Sequence, residues 1–464
     1  MKLKAFVSGA CYQDVILRVD SYPQEDAKVR AQSVEKRRGG NGANVLQVLS
    51  QFQPRSIEQR RRSTGATTTI DSSSSTVNAE MQQLFSNHSL ETHLVAVLAG
   101  VDSENADGET SFIINDLRTN TPLVSLAHCV FRGAGYSEPT AWIVATGASR
   151  TIINHTTLPE LTASEFKTGM APVLDQNFND ANVGDASPSS LWFHFEGRNV
   201  SEMEQMVDWL IEVRDKQSAL CTAKGQHDWW APIRGVILPP VLPNLALANE
   251  SGSLVASNPI SPIAITPGIS PGVNIIGKRD SRDSVLASVF SKSSNTGEVA
   301  SAPVGAAGPS GHQKAVAEVP QFTISVEFEK PNRPGLDNLL GKADLLFFSK
   351  WYAEGRGFPN APTGFLDNIR RECKQGAILF LTWSEQGCFF LVNDLKRPAQ
   401  THHVPAPQIF PVDTIGAGDT FAAGILYSMG LQKWDTRRAC EFSVRLATAK
   451  CAQVGFDGLA ERVI

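Results

Sequence analysis

The chain has 464 residues, of which 42% are hydrophobic and 19% charged, and its formal net charge is −5. This balance is typical of a folded globular protein and gives no reason to expect nucleic acid or an anionic membrane as a partner. No apolar run reaches the ~20 residues that span a bilayer. The seven cysteines form no CxxC pair, and the first residues read as a strand rather than as a signal peptide. A cytoplasmic location is therefore the simplest expectation.

Short apolar runs alternate with amphipathic stretches along the chain. Between several of these runs, apolar residues recur at helical spacing, as they do from Val45 to Phe52. The alternation predicts an α/β fold in which helices cover both faces of a mainly parallel sheet. We predict strands at Ala5–Ser8, Leu94–Ala99, Leu191–Phe195, Phe322–Phe328, Leu345–Ser349, Ala377–Trp383 and Cys388–Val392.

Two polar segments interrupt this rhythm. Residues 54–78 contain three consecutive arginines followed by a Ser/Thr run, and residues 218–319 are rich in Pro, Ser, Gly and Ala. Such compositions bury little apolar surface. We therefore predict that both segments are low-order insertions in a single domain that comprises residues 1–464.

A glycine- and asparagine-rich motif runs from Arg38 to Asn44 and precedes a predicted helix. Glycines allow a ligand to approach the backbone closely, and the side chains of Asn41 and Asn44 can donate to and accept from sugar hydroxyls. Asp14, which follows the first strand, completes a polar cluster that suits a polyol. A glycine-rich turn with Asn as a helix cap accounts for the motif alone about equally well.

The stretch from Asp413 to Phe421, DTIGAGDTF, is the most informative segment for function. It precedes an apolar run with helical spacing, and the first turn of a helix offers N–H groups and a positive dipole end to an anion. A carboxylate at Asp419 would repel a phosphate there unless it accepts a proton from an attacking hydroxyl. A capping role for the acidic residues is the alternative that the short motif alone leaves open.

Taken whole, this nonapeptide resembles the second signature of the PfkB (ribokinase-like) carbohydrate kinases. Further similar segments follow the family's order and cover about three-quarters of the chain, and they are most similar to the ketohexokinase branch. They include residues 19–26, 38–41, 149–153, 158–161, 195–199, 325–331, 383–387 and 455–458. The resemblance implies a ribokinase-like three-layer α/β sandwich with a mainly parallel sheet and a small β-sheet lid formed by residues 15–37 and 140–156.

The resemblance also implies roles for individual residues. Asp419 would be the catalytic base, and the backbone of Gly416, Ala417 and Gly418 would form an anion hole. The sugar would be held by Asp14, Asp26, Gly40, Asn41 and Asn44. ATP would be bound by Arg150, Trp383, Glu385, Gly387 and Thr414.

Family members use ATP with Mg²⁺, and many are activated by K⁺, for which the loops near Asp413 and Gly455 are candidate sites. Many members carry an Asn-x-x-Glu pair that orders metal-bound water, but the corresponding segment here, Ser349 to Glu354, lacks it. The metal ligands are therefore left unassigned. Relatives often dimerise through the lid, so the resemblance also allows a homodimer.

These inferences predict an enzyme that transfers the γ-phosphoryl group of ATP to a primary hydroxyl of a ketose, with fructose 1-phosphate as the expected product. Two alternatives stay open. One is another PfkB activity, on a keto-deoxy sugar acid or a nucleoside. The other is a non-catalytic sugar-sensing protein, against which the intact Asp419 argues.

Overall fold

A computed structural model describes residues 2–53, 88–100, 111–133, 135–146, 150–182, 189–223 and 321–463. All of them belong to one compact unit made of Met1–Leu238 and Ala315–Ile464. The predicted insertion at residues 54–78 lies outside the described residues, as does most of the one at residues 218–319. The start of the second insertion was predicted too early, because an α-helix continues through it to Ala223.

A nine-stranded sheet forms the centre of the molecule, with the strand order β15-β14-β13-β12-β11-β10-β1-β4-β6. Neighbouring strands are parallel from β13 to β6, and β14 and β15 add an antiparallel edge. The strands are β1 (Lys2–Ser8), β4 (Ser89–Val95), β6 (Val124–Ser125), β10 (Ser190–Phe195), β11 (Phe322–Phe328), β12 (Leu345–Ser349), β13 (Ile378–Thr382), β14 (Cys388–Val392) and β15 (His402–Val404).

A separate four-stranded sheet has the order β3-β2-β8-β9. Its strands are β2 (Tyr12–Arg18), β3 (Ser33–Gly39), β8 (Thr140–Ala145) and β9 (Arg150–His155). The two predicted lid segments fall within this sheet, although β2 begins three residues before the first segment. The predicted strand Leu94–Ala99 is divided in two, because β5 (Val97–Ala99) pairs with β7 (Val130–Arg132) instead of continuing β4.

Helices cover both faces of the large sheet. They are α1 (Asn41–Leu49), α2 (Phe112–Asn120), α3 (Ala163–Asn182), α4 (Val200–Ala223), α5 (Lys350–Gly355), α6 (Pro362–Ile369), α7 (Ala417–Ile425), α8 (Thr436–Cys451) and α9 (Leu459–Val463). Short 3₁₀ turns lie at Ser50–Phe52, Leu336–Leu339 and Ser384–Gln386, and a π-helical turn at Leu426–Leu431 extends α7. None of the helices among the described residues is long and apolar enough to cross a membrane.

Side chains alternate across the central strands, so the core is divided between the two faces of the sheet. Leu3, Ala5 and Val7 of β1 pack with α1, α2, α7 and α8, whereas Phe6 packs on the opposite face with α3, α4 and α6. Both clusters consist of buried apolar residues. The predicted three-layer α/β fold, with a mainly parallel sheet and a second small sheet, is confirmed.

Candidate active site

An open cleft lies between the carboxyl ends of β10 to β13 and the inner face of the four-stranded sheet. Its empty volume, which includes space open to solvent, is about 1380 Å³. Ligands of parallel α/β sheets bind in the crevice outside the carboxyl ends of the strands. The sequence-predicted residues that line this cleft are Asp14, Gly40, Asn41, Asn44, Arg150, Thr414, Gly416, Gly418 and Asp419.

The turn before α7 requires glycine at Gly416. Its φ of 81° is in the left-handed region, and a Cβ there would collide with the ring of Phe456. The Ala417 N–H donates to the carbonyl of Thr414 at 3.3 Å, which closes the turn. Gly416 and Gly418 line the cleft at the start of the helix, where an anion would meet the positive end of the helix dipole.

Asp419 lies in the first turn of α7 and is held by a chain of polar side chains. Asn44 Nδ2 donates to Asp419 Oδ2 at 2.7 Å, and Arg38 Nη1 donates to Asn44 Oδ1 at 3.3 Å. Arg38 is itself fixed by Asp116, whose Oδ1 lies 2.9 Å from Arg38 Nε. The predicted sugar ligand Asn44 is 6% exposed and uses both ends of its amide in this chain, so it orients the carboxylate of Asp419.

The electrostatic surroundings make Asp419 a stronger base than an ordinary aspartate. Burial, above all, and then the nearby charge of Glu327 raise its pKa well above the usual value, with smaller contributions from Glu329 and Glu196. The hydrogen bond from Asn44 opposes the increase. A general base is most effective when its pKa approaches the working pH, so this environment suits proton abstraction from a hydroxyl.

The polyol side of the cleft is formed by the start of α1 and by β2. Gly40 has a φ of 110°, and a Cβ there would collide with the carbonyl oxygen of Ala10, so only glycine fits. The carboxylate of Asp14 on β2 lies against Gly39, so a Cβ at Gly39 would collide with it. Burial raises the pKa of Asp14 to about 6, while the charges of Arg37, Arg38 and Arg150 oppose the increase.

A buried hydrogen-bonded chain leads from the core to Asn41. Trp192 Nε1 donates to Ser325 Oγ at 2.8 Å, and Ser325 Oγ lies 2.8 Å from His194 Nδ1. The indole can only donate, so the Ser325 hydroxyl can donate onward to His194 Nδ1, which leaves the Nε2 proton facing Glu327 Oε1 at 3.0 Å. Glu327 Oε2 in turn accepts from Asn41 Nδ2 at 3.1 Å, which fixes the orientation of this predicted sugar ligand.

Glu196 and Arg198 form a second charged pair at the rim of the cleft. Glu196 Oε2 accepts from the N–H of Ala10 at 3.2 Å, and Arg198 Nη2 donates to the hydroxyl of Tyr12 at 2.7 Å. Burial raises the pKa of Glu196 to about 7, with Arg198 opposing the increase and Glu327 adding to it. The cleft therefore concentrates several carboxylates, whose charge favours binding a cation.

Arg150 is the first residue of β9 and lines the cleft. It is close enough to Asp14 for its charge to oppose the increase in the pKa of that carboxyl. Thr414 lines the cleft beside the glycine turn, and Thr382 lines it at the end of β13. Arg150 and the start of α7 both line the cleft, and each is a source of positive potential for a phosphate chain. The geometry therefore suits the predicted nucleotide side of the site.

Five predicted site residues lie outside the described lining of the cleft. Asp26 is exposed in the connection between β2 and β3. Ala417 does not line the cleft, although its neighbours Gly416 and Gly418 do. Trp383 is 2% exposed under the ammonium of Lys350, and Glu385 is exposed on a 3₁₀ turn. Gly387 has a φ of 89° and packs against the backbone of Val404, which is a structural reason for glycine. Their predicted binding roles stay predictions.

Sequence reasoning missed Glu196, Arg198, Glu327 and Glu329 as residues of the cleft, although all four lie in segments that carry the family resemblance. The available signal was the presence of charged side chains at the ends of β10 and β11, which are otherwise apolar. Several of their partners are more than a hundred residues away in the sequence, as His194 is from Glu327. The sequence alone therefore offered no means of pairing them.

The chain is similar in sequence to known carbohydrate kinases. Residues 309–461 match the pfkB family carbohydrate kinase domain. Over 136 residues the chain is 35% identical to ketohexokinase of Mus musculus, an alignment that spans 29% of this chain and 44% of that protein. The chain thus matches less than half the length of this relative. The predicted resemblance to the PfkB carbohydrate kinases is confirmed, with its sequence support in the C-terminal third.

Solved structures of similar fold align with 98% of the chain. Ribokinase of Giardia lamblia superposes with a TM-score of 0.53 at 9% identity, covering 98% of this chain and 96% of that one. Ribokinase of Arabidopsis thaliana, solved in complex with ribose and ATP, has a TM-score of 0.50 at 12% identity and covers 98% of this chain and 95% of its own. At these identities the likeness shows the ribokinase-like fold and nothing finer.

Proposed function

We propose that this protein is an ATP-dependent sugar kinase that phosphorylates a primary hydroxyl of a ketose. The observation that carries the proposal is Asp419, a buried carboxylate with a raised pKa on the first turn of α7, opposite the polar cluster of Asp14 and Asn41. The pfkB match over residues 309–461 covers this turn. Fructose is the proposed substrate because of the similarity to ketohexokinase. A cytoplasmic location stays a prediction.

In the proposed reaction, Asp419 accepts the proton of the sugar hydroxyl as that oxygen attacks the γ-phosphorus of ATP. The bond from the γ-phosphorus to the bridging oxygen breaks, and ADP leaves. Gly416 and Gly418 at the helix start and the guanidinium of Arg150 stabilise the charge on the transferring phosphoryl group. Closure of the four-stranded sheet over the cleft would exclude water, which competes with the sugar as acceptor.

The residues of the cleft fit Mg²⁺ bound chiefly through phosphates and water. No group of three or more His, Cys, Asp or Glu side chains converges on one point within the described ranges. Mg²⁺ usually keeps several waters and needs only one or two carboxylates besides the phosphates. Glu329, directly after β11, would hold it, because both carboxylate oxygens of Glu327 already accept hydrogen bonds from His194 and Asn41. Mg²⁺ would neutralise charge on the β- and γ-phosphates.

A panel of acceptors tests this function. ADP production is measured by a coupled assay with ATP, Mg²⁺ and, in turn, fructose, other ketoses, a keto-deoxy sugar acid and adenosine. We expect the highest kcat/KM with fructose and a phosphate on its primary 1-hydroxyl, identified by NMR of the product. A preference for adenosine or the sugar acid would replace the substrate assignment. Sugar binding by calorimetry without ADP production with any acceptor would favour a sensor and overturn the kinase assignment.

The affinity for sugar is expected to fall below pH about 6. Burial raises the pKa of Asp14 to about 6, so its carboxylate becomes protonated below that pH and loses the ability to accept two hydroxyl hydrogens. The dissociation constant of fructose, measured by calorimetry, should rise by up to about tenfold per pH unit in that range. Asp14→Asn should bind weakly at all pH values and lose the inflection. An unchanged inflection in that variant would assign the titration to another group.

We further propose that the four-stranded sheet joins two copies of the chain. Its outer face carries Val34, Trp142 and Ile153, which are 62%, 40% and 61% exposed. A cluster of exposed apolar side chains on one sheet face favours association. Light scattering should show a dimer that Ile153→Glu converts to a monomer, while Leu220→Glu, at a 52% exposed site on α4, leaves the dimer intact. A monomeric parent protein would contradict the proposal.

A further inference from the structure

A fully buried lysine lies behind the glycine turn. Lys450, in the last turn of α8, is 0% exposed, and its Nζ donates to Asp413 Oδ2 at 2.8 Å and to the Asp413 carbonyl oxygen at 2.9 Å. A buried ammonium is costly unless it is paired and hydrogen-bonded. The reaction proposed above gives this charge no part, so its position requires another explanation.

Asp413 connects this ammonium to the turn. Its Oδ1 accepts from the Ile415 N–H at 3.0 Å, and its Oδ2 lies 3.4 Å from Arg37 Nη1 on β3. Burial alone would raise the pKa of Asp413, but the hydrogen bonds from Lys450 and Ile415 outweigh it and hold the pKa below its usual value. The carboxylate is therefore charged, and it fixes the backbone one residue before Gly416.

A second contact reaches the turn from the same ammonium. Lys450 Nζ lies 5.2 Å from the centre of the Phe456 ring, and that ring is the group that a Cβ at Gly416 would strike. Gln51 Nε2 donates to the Phe456 carbonyl at 2.7 Å and holds the residue in place. The ammonium thus supports the turn through Asp413 on one side and through the Phe456 ring on the other.

The donor set around Lys450 Nζ does not fit an additional K⁺. The family resemblance made the loops near Asp413 and Gly455 candidate sites for K⁺, for which a carboxylate oxygen and a backbone carbonyl would be natural ligands. Both oxygens of Asp413 that meet at this point already accept from Lys450 Nζ. An ammonium group and K⁺ carry the same charge and have similar ionic radii, so one can take the place of the other.

We propose that the Lys450 ammonium is a built-in monovalent cation that positions the Asp413–Gly416 turn, so that this chain needs no K⁺ there. Lys450 is accordingly a positioning residue, because it acts on the turn through Asp413 and Phe456. Only the activity readout rests on the proposed kinase function. The stability readout does not depend on it.

The test compares melting temperatures of the full chain in KCl and in choline chloride at equal ionic strength. The parent protein should melt at the same temperature in both salts. Lys450→Met, which keeps an unbranched side chain and removes the charge, should melt about 4–8 °C lower in choline chloride and recover part of the loss in KCl. Lys216→Met, at a 69% exposed lysine on α4, is the matched control and should show no dependence on the cation.

Turnover provides a second readout on the same proteins. In choline chloride, kcat of Lys450→Met should fall by roughly ten- to hundredfold, because the turn is misplaced, and KCl should restore part of it. Selective stabilisation or activation of the parent protein by KCl would overturn the proposal, even if the variant fails to fold. A Lys450→Met protein that folds but gains nothing specific from KCl would also overturn it. Absence of turnover in every protein and salt would instead count against the kinase function.

Discussion

Asp419→Asn is expected to abolish turnover while reducing sugar affinity only modestly. The amide keeps the size of the side chain, and its oxygen can still accept from Asn44 Nδ2, which now lies 2.7 Å from Asp419 Oδ2. It cannot accept the proton of the attacking hydroxyl. Loss of a positioned general base costs about 10²–10⁴-fold in rate. We therefore expect kcat, measured with saturating fructose and ATP, to fall by at least about 10²-fold.

Asp14→Asn is the matched control for this substitution. Both changes replace a half-buried or buried carboxylate of the same cleft by its amide, but Asp14 is assigned to sugar binding. The control should therefore raise KM for the sugar more than it lowers kcat, which is the opposite pattern. If Asp419→Asn retained near-normal kcat, Asp419 would not be the base, and a capping role would account for it.

The sequence predicted the layers of the fold because hydrophobic patterning reports burial directly. Runs such as Leu345–Ser349 are apolar at nearly every position, as strands buried on both faces must be. The order of the strands across the sheet could not be predicted, because no local sequence pattern shows that β10 lies between β1 and β11. The division between β4 and β5 was also missed, because it depends on pairing with β7 rather than on propensity.

The site was predictable where a motif fixes local backbone geometry and hidden where it depends on distant partners. Gly40 and Gly416, which both have a positive φ, and Asp419, which lines the cleft, lie in the two motifs that the sequence singled out. The contact of Asn44 with Asp419 spans 375 positions, and no local pattern reports it. The sequence therefore suggested only a sugar-binding role for Asn44, whereas the structure also shows its amide donating to Asp419.

A buried charge cluster at the start of β12 is expected to contribute substantially to stability. Asp344, at the start of β12, is 1% exposed and accepts from Arg214 Nη1 at 3.0 Å, from the Ile324 N–H at 2.9 Å and from Lys374 Nζ. Arg214 is only 2% exposed. Asp344→Ala would leave this guanidinium buried and the Ile324 N–H without its side-chain acceptor. Removing one partner of a buried pair costs about 3–5 kcal/mol, which denaturant unfolding should measure.

The double variant Arg214→Met/Asp344→Ala separates the loss of an interaction from the burial of an uncompensated charge. It removes the stranded guanidinium, while Lys374, whose side chain is 22% exposed, can turn to water. It should therefore be more stable than Asp344→Ala alone, so that the two changes are strongly non-additive. Glu212→Ala breaks an exposed pair on α4 and should leave the free energy of unfolding nearly unchanged. If Asp344→Ala lowers the free energy of unfolding no more than Glu212→Ala does, the guanidinium of Arg214 has become hydrated in the variant. In that case the cluster does not stabilise β11, the strand that carries Glu327.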